Sequence, residues 1–129
     1  MAGLKTLEQA LNSMKIVCDD VEYGFATVPL DTVMIDDAII GSFREKEGLT
    51  LIATKKFLVD KHIAHEGPFA KLSLEIQTSL ELIGLTAVLA KALAQNKICA
   101  NVICAYYHDH IFVQYHLRDL ALKTLQALP

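Results

Sequence analysis

Between Phe69 and Gln95 the apolar residues change their period, and that change constrains the fold more than any other feature of the chain. From Phe69 to Gln77 they alternate. Leu72, Leu74 and Ile76 face one way, and Lys71, Ser73, Glu75 and Gln77 the other, as in a half-buried strand. From Leu85 the apolar positions are Leu85, Val88, Leu89, Ala92 and Leu93, the stripe of an amphipathic helix that runs to about Gln95. The stretch Thr78 to Thr86 is therefore a strand-to-helix turn. A helix that starts there leaves backbone N–H groups without intrahelical acceptors, and Gly84 lets another group approach that backbone closely. Together they form a seat for a carboxylate or phosphate. A capping box between Thr78 and Glu81 accounts for the same residues with no ligand, and spacing alone favours that plainer account.

The chain of 129 residues is long enough for one domain or two small units. Its apolar fraction of 53% is high for a monomer that covers only its own core, so self-association is the expected partner contact. Net charge is −3 with both signs mixed, and no basic patch interleaved with aromatics occurs, which argues against nucleic acid. The longest apolar run, Leu82 to Ala94, is broken by Gly84, Thr86 and Lys91 and is too short to span a bilayer. Glu8 interrupts the N-terminal apolar pattern, which does not fit a secretion signal. Cys18, Cys99 and Cys104 form no CxxC pair, and an odd count suits reduced thiols in a cytoplasm.

Leu4, Leu7, Leu11 and Met14 fit a short amphipathic helix, and Lys15 to Cys18 a brief strand. Tyr23 to Val28 reads as a strand stopped by Pro29, and residues 30–38 as a loop or one poor helical turn. Ile39 to Arg44 and Leu49 to Thr54 are strands around a tight turn, with Gly48 expected to supply a positive φ. A helix follows from Lys55 to Ile63, then a linker at His65 to Pro68. Beyond the central helix, Ile98 to Tyr107 reads as a strand apolar on both faces, central in a sheet or at a subunit contact. On that single strand Cys99 and Cys104 face opposite sides and cannot pair. His108-Asp109 turns the chain, His110 to Tyr115 returns, and Leu117, Leu120, Ala121, Thr124, Leu125 and Leu128 stripe a last helix. The unit Glu47 to Ile52 plus its helix matches Asp109 to Gln114 plus its helix, at an offset of about 62 residues, the mark of tandem units.

The second half thus reads strand, helix, strand, strand, helix, the βαββαβ ferredoxin-like plan without its last strand. The residues Glu81-Leu82-Ile83-Gly84-Leu85-Thr86 and Ile98-Cys99-Ala100-Asn101-Val102 resemble the ACT domain, a small regulatory module. Tyr106 to Val113 and Phe43 to Thr50 resemble a bacterial family of small, stand-alone, tandem ACT proteins of unknown function, its ACT half of the class found in cytosolic amino-acid sensors. The resemblance covers nearly the whole chain. It implies an α+β protein of two tandem ACT-like units with helices on antiparallel sheets. The first, 1–66, is degenerate, having lost its first helix, and the second spans 67–129. Because the chain ends in a helix, Lys15 to Cys18 is expected to supply the closing strand of the second unit, where an open edge would invite aggregation.

By the same resemblance, ACT domains bind small effectors, often amino acids, at the strand-to-helix turn and commonly across a subunit interface. Ile83, Gly84 and Leu85 would then offer backbone groups to an α-carboxylate. Asn101, the one amide in an apolar strand, would hold the ligand's polar part or else cap a loop internally. Glu81 would meet an ammonium, unless it serves the capping box, and His108 would touch the effector from the hairpin. No cofactor or metal is implied, since His108 and His110 lack further ligands at metal-like spacing. The expected function is non-catalytic binding of a small molecule, with oligomer or partner contacts biased by the ligand. The alternatives are a ligand-free dimerisation module and a small enzyme using His108, His110 and Cys104.

Overall fold

A computed structural model describes residues 6–75 and 83–128. The elements are α1 (Leu7–Asn12), β1 (Ile16–Cys18), β2 (Tyr23–Val28), β3 (Ile39–Arg44), β4 (Leu49–Thr54), α2 (Lys55–Asp60), β5 (His65–Leu74), α3 (Leu85–Gln95), β6 (Asn101–Cys104), β7 (Asp109–Gln114) and α4 (Arg118–Gln126), the last preceded by a 3-10 turn at Tyr115–Leu117. They divide into a discontinuous unit, Met1–Asp19 with Ala70–Pro129, and an inserted unit, Asp20–Phe69. The fold is α+β and ferredoxin-like, with the βαββαβ plan used twice in tandem.

In the discontinuous unit the strand order is β1-β5-β7-β6. The closing position is held by β1, which runs antiparallel to β5 with Ile16 opposite Leu74 and Cys18 opposite Leu72. Lys15 and Glu75 form an ion pair beyond the end of that ladder. Ala70, Leu72 and Leu74 of β5 and Ile111 and Val113 of β7 point to one face, where α3 brings Leu85, Leu89 and Leu93 and α4 brings Ala121 and Leu125. Thirteen of the described residues are buried in this core, Ala10 and Ile16 from the N-terminal segment among them.

The inserted unit repeats the order as β3-β4-β2-β5, with the first half of β5 now in the closing position. Its first crossover, however, carries no helix between β2 and β3. Only α2 covers the sheet, and the buried cluster is four residues, Ala26, Ala53, Phe57 and Leu58, with Met34 and Ala38 of the loop packed against it.

Several local expectations need correction. The segment His65–Pro68 is not a linker but the start of β5, and its proline is tolerated at a register shift opposite Gly24. Gly48 does not have a positive φ; it is small because a Cβ there would meet Thr27 Oγ1 at 2.6 Å and the Val28 carbonyl at 2.9 Å. The helix after Thr54 ends at Asp60, not Ile63. The strand expected over 98–107 shrinks to Asn101–Cys104. Lys97, at φ 61°, turns the chain so that Ile98 enters the core, and Ala105 N–H bonds the His108 carbonyl at 3.1 Å to make the hairpin turn. Cys99 therefore precedes β6 and does not share it with Cys104. The repeat offset is 60: the turn bond Glu45 N–H to Gly48 carbonyl recurs at Ala105 and His108, and buried Leu51 to Ala53 recur as Ile111 to Val113. Aligning the acidic residues Glu47 and Asp109 misplaces the turn by two, an even slip that leaves every side chain on its correct face.

Candidate functional site

α3 begins differently from the helices before it. At α1 and α2 the N-cap threonines, Thr6 and Thr54, accept hydrogen bonds from Gln9 N–H at 3.2 Å and Phe57 N–H at 3.3 Å. At α3 the N-cap is Gly84, left-handed at φ 96°, and among the described residues no side chain caps the first turn. An L side chain is strained at that φ, so glycine is the residue that fits. Leu85 is 3% exposed and anchors the helix in the core, whereas Ile83 is 87% exposed. Thr86 Oγ1 lies 3.7 Å from Cys104 Sγ, which ties the helix start to the end of β6. Glu81 and the capping box it would form with Thr78 fall outside the described residues.

Asn101 does not join Gly84 within one chain. It opens β6, at the opposite end from Cys104, and is exposed rather than buried as its place in an apolar strand led us to expect. It pairs with Phe112, while its neighbour Val102 pairs with Ile111 and packs on the helix-covered core. By alternation Asn101 and Ile103 point to the helix-free face. Among the described residues β6 is also the last strand of its sheet, with no further described strand along its outer backbone edge. Ile103, Tyr106 and Tyr107 are exposed along this edge and its hairpin.

His108 sits in the hairpin with its ring centroid 6.4 Å from that of His110. His110 Nδ1 and Ser73 Oγ are 2.7 Å apart and share a hydrogen bond. Lys71, on the same face as Ser73, pairs with Asp19 at 3.4 Å. Burial, then the charges of Lys71 and His108, push the His110 pKa down, against a smaller opposing pull from Asp109. The Cys104 thiol is pushed up, chiefly by desolvation and also by Asp109, with the Thr86 hydrogen bond working the other way. A raised thiol is a poorer nucleophile at neutral pH. Among the described residues no group of three or more His, Cys, Asp or Glu side chains is placed to hold a metal ion. The Ser73–His110 and Thr86–Cys104 contacts were not foreseen. Alternation puts Ser73 and His110 each on the polar side of its strand, but nothing in the sequence states that β5 and β7 are neighbours.

A glycine-capped helix start on a ferredoxin-like unit used twice defines a class of small α+β modules. Comparison with known families agrees: an ACT domain matches over residues 2–70 and a second over 65–127, overlapping on the strand that serves both units. The chain belongs to the ACT-domain family, whose members act as regulatory small-molecule-binding domains. It is similar to a Vibrio cholerae protein of unknown function, a possible transport protein, at 37% identity over 92% of each chain, with a TM-score of 0.79. It shares its fold with an Agrobacterium tumefaciens protein at 15% identity (TM-score 0.71, 87% of this chain and 86% of that one). It also shares it with the ligand-free regulatory subunit of aspartate kinase from Thermus thermophilus at 13% identity (TM-score 0.62, 90% and 98%). No curated protein matches the chain. Among the described residues no helix is long and apolar enough to cross a membrane.

Proposed function

We propose that this protein is a non-catalytic regulator that binds a small carboxylate-bearing effector, an amino acid by preference, at the start of α3, and that a second copy completes the site. The observation that carries the reading is the left-handed Gly84 cap, which leaves first-turn N–H groups without a side-chain acceptor among the described residues. The exposed edge of β6 supplies the second half of the argument. An antiparallel pair of β6 strands sets the beginning of one against the end of the other. With both helix layers on one side, residues of like facing must oppose each other, so Asn101 of one copy falls opposite Ile103 or Ala105 of the other. That end of β6 is the one tied to α3 through Cys104 and Thr86. Ile83, Gly84 and Leu85 would receive the carboxylate and Glu81 an ammonium, while Asn101, whose side chain starts from the helix-free face, and His108 would meet the rest of the ligand around the sheet edge. The effector would act by its differential affinity for the paired state.

The raised Cys104 thiol speaks against the catalytic alternative. The thiols of Cys18, Cys99 and Cys104 fit a reducing cytoplasm. The test is a thermal-shift and sedimentation screen of the proteinogenic amino acids. At least one is expected to raise the melting temperature and the paired fraction together, and Asn101→Ala to remove the response while the fold persists. A folded, paired protein indifferent to every amino acid would overturn the effector reading. It would favour instead a ligand-free dimerisation module, for which the exposed Ile103, Tyr106 and Tyr107 are the motivating surface.

A further inference from the structure

The loop that replaces the missing helix of the inserted unit presents its apolar side chains outward. Val33 is 88% and Ile35 95% exposed, whereas Met34 between them packs on the small core. Isolated exposed apolar residues are common, but two such residues flanking an anchored one make a displayed pair. The loop itself is acidic: Asp31, Asp36 and Asp37 fall in it, and no lysine or arginine occurs between Pro29 and Phe43, although Arg44 reaches its start and donates to the Leu30 carbonyl at 3.4 Å.

The same unit carries a surface that fits this pair. At the start of α2 lies a hollow of about 300 Å³, with Val21 and Val59 among its apolar lining and Lys55 and Lys56 on its rim. Val59 is 51% and Val21 38% exposed. The rim also holds Glu22 and Asp60, but Asp60 is engaged by Lys56 at 2.8 Å, and Lys61 adds a further positive charge at the end of α2. The loop returns beside this hollow, since Thr54, one of its lining residues, donates its N–H to the Ala38 carbonyl at 3.0 Å.

We infer that this loop docks into the α2 hollow of a second copy of the chain, Val33 and Ile35 against Val21 and Val59, with the loop aspartates facing Lys55 and Lys56. Because loop and hollow adjoin on one unit, a two-fold axis can seat each loop in the other copy's hollow, a closed, self-complementary contact. Opposite charges across it set the register, and the apolar pair supplies the buried area. The contact is independent of the effector reading, which uses the other unit.

The experiment is sedimentation velocity over a concentration series with charge-exchanged variants. Asp31→Lys/Asp37→Lys puts lysines on the loop and spares Asp36, whose side chain accepts the Ala38 N–H. Lys55→Glu/Lys56→Glu puts carboxylates on the first two residues of α2, where the helix dipole favours them. Each variant alone is expected to self-associate at least about tenfold more weakly than the parent, from like-charge contact. An equimolar mixture restores association, because each loop then meets an opposite hollow. A chain with both exchanges associates with itself. Val33→Ser/Ile35→Ser weakens association and is not rescued by mixing. A parent that stays monomeric throughout, exchanged variants that associate like the parent, or a mixture that stays apart overturns the proposal. If Ile103→Lys abolishes association while the exchanges change nothing, the loop contact is overturned and the effector reading stands.

Discussion

The two units of this protein are built from one plan and differ by one helix. Where the discontinuous unit crosses from its first strand to its second it has α3, whose Leu85, Leu89 and Leu93 are fully or almost fully buried. Where the inserted unit makes the same crossover it has a loop with one inward methionine. The buried clusters follow, thirteen residues against four. The loss also removes a helix N-terminus, so the inserted unit has no counterpart of the Gly84 cap. In one unit the crossover is a glycine-capped helix, the proposed seat for a ligand; in the other it is a loop that displays an apolar pair. Repetition thus preserves the sheet and lets the crossover change its role.

The sharpest way to test that contrast is to remove the same side chain from each core. Leu89 and Leu58 are both fully buried. Leu→Ala at a buried site costs about 2–5 kcal/mol, and the cost rises when the surroundings cannot collapse into the space. Leu89→Ala is expected near the upper end, since sheet, α3 and α4 enclose it. Leu58→Ala is expected near the lower end, because the cluster around it is small and the Met34 loop can follow. Urea unfolding of the two variants against the parent checks this. An equal or larger loss at Leu58 would mean that the inserted unit is as rigidly packed as its neighbour.

How far the sequence reveals this architecture depends on the range of the interaction. The strand before residue 75 and the helix from Leu85, the Arg44–Leu49 hairpin and the absent helix over 30–38 follow from nearest-neighbour patterning, and the structure has each of them; the turn between strand and helix lies outside the described residues. The closing role of Lys15 to Cys18 was argued from a missing strand after the last helix, and Ile16–Cys18 pairs with β5. Burial of the strand containing Asn101 was not legible. Its run of apolar residues resembles a central strand, yet β6 lies at the sheet edge, and composition does not distinguish a core from a surface awaiting a partner. The Ser73–His110 contact, 37 residues apart, depends on strand order alone.

A second test asks why each unit needs its glycine. At Gly84 the reason is backbone angle: φ is 96°, and among the described residues a Cβ would meet only Leu7 Cδ2, at 3.4 Å. At Gly48 the reason is contact, with Thr27 Oγ1 and the Val28 carbonyl inside 3.0 Å. Gly48→Ala is expected to cost about 1–3 kcal/mol because backbone must shift to admit the methyl group. Gly84→Ala is expected to cost about 1–2 kcal/mol, the ordinary penalty for an L residue in a left-handed conformation. Asparagine tolerates that conformation better than alanine. Gly84→Asn should therefore recover part of the loss, whereas Gly48→Asn should recover none. Thermal melts of the four variants decide it, and recovery at Gly48 would overturn the contact explanation.

The smallest expected effect separates the units by pH. With the repeat offset of 60, His110 of β7 corresponds to Thr50 of β4, so one unit has a titrating group where the other has a hydroxyl. In the fold His110 is held below its ordinary pKa of 6.5 by burial, with Lys71 and His108 adding repulsion and Asp109 opposing it. Lys71 is itself paired with Asp19, and Ser73 shares a hydrogen bond with the ring without adding charge. Below about pH 6.5 the unfolded chain takes up a proton at this position more readily than the folded one. Stability is therefore full above that pH, declines as pH falls, and levels off once the folded histidine also titrates. His110→Gln keeps a partner for Ser73 and cannot titrate, so its stability between pH 5 and 7 should vary less than the parent's by the His110 contribution alone. Partial exposure of the ring keeps that contribution modest. Unfolding midpoints at half-unit pH steps measure it, and parallel curves for parent and variant would show that the discontinuous unit owes none of its acid sensitivity to this histidine.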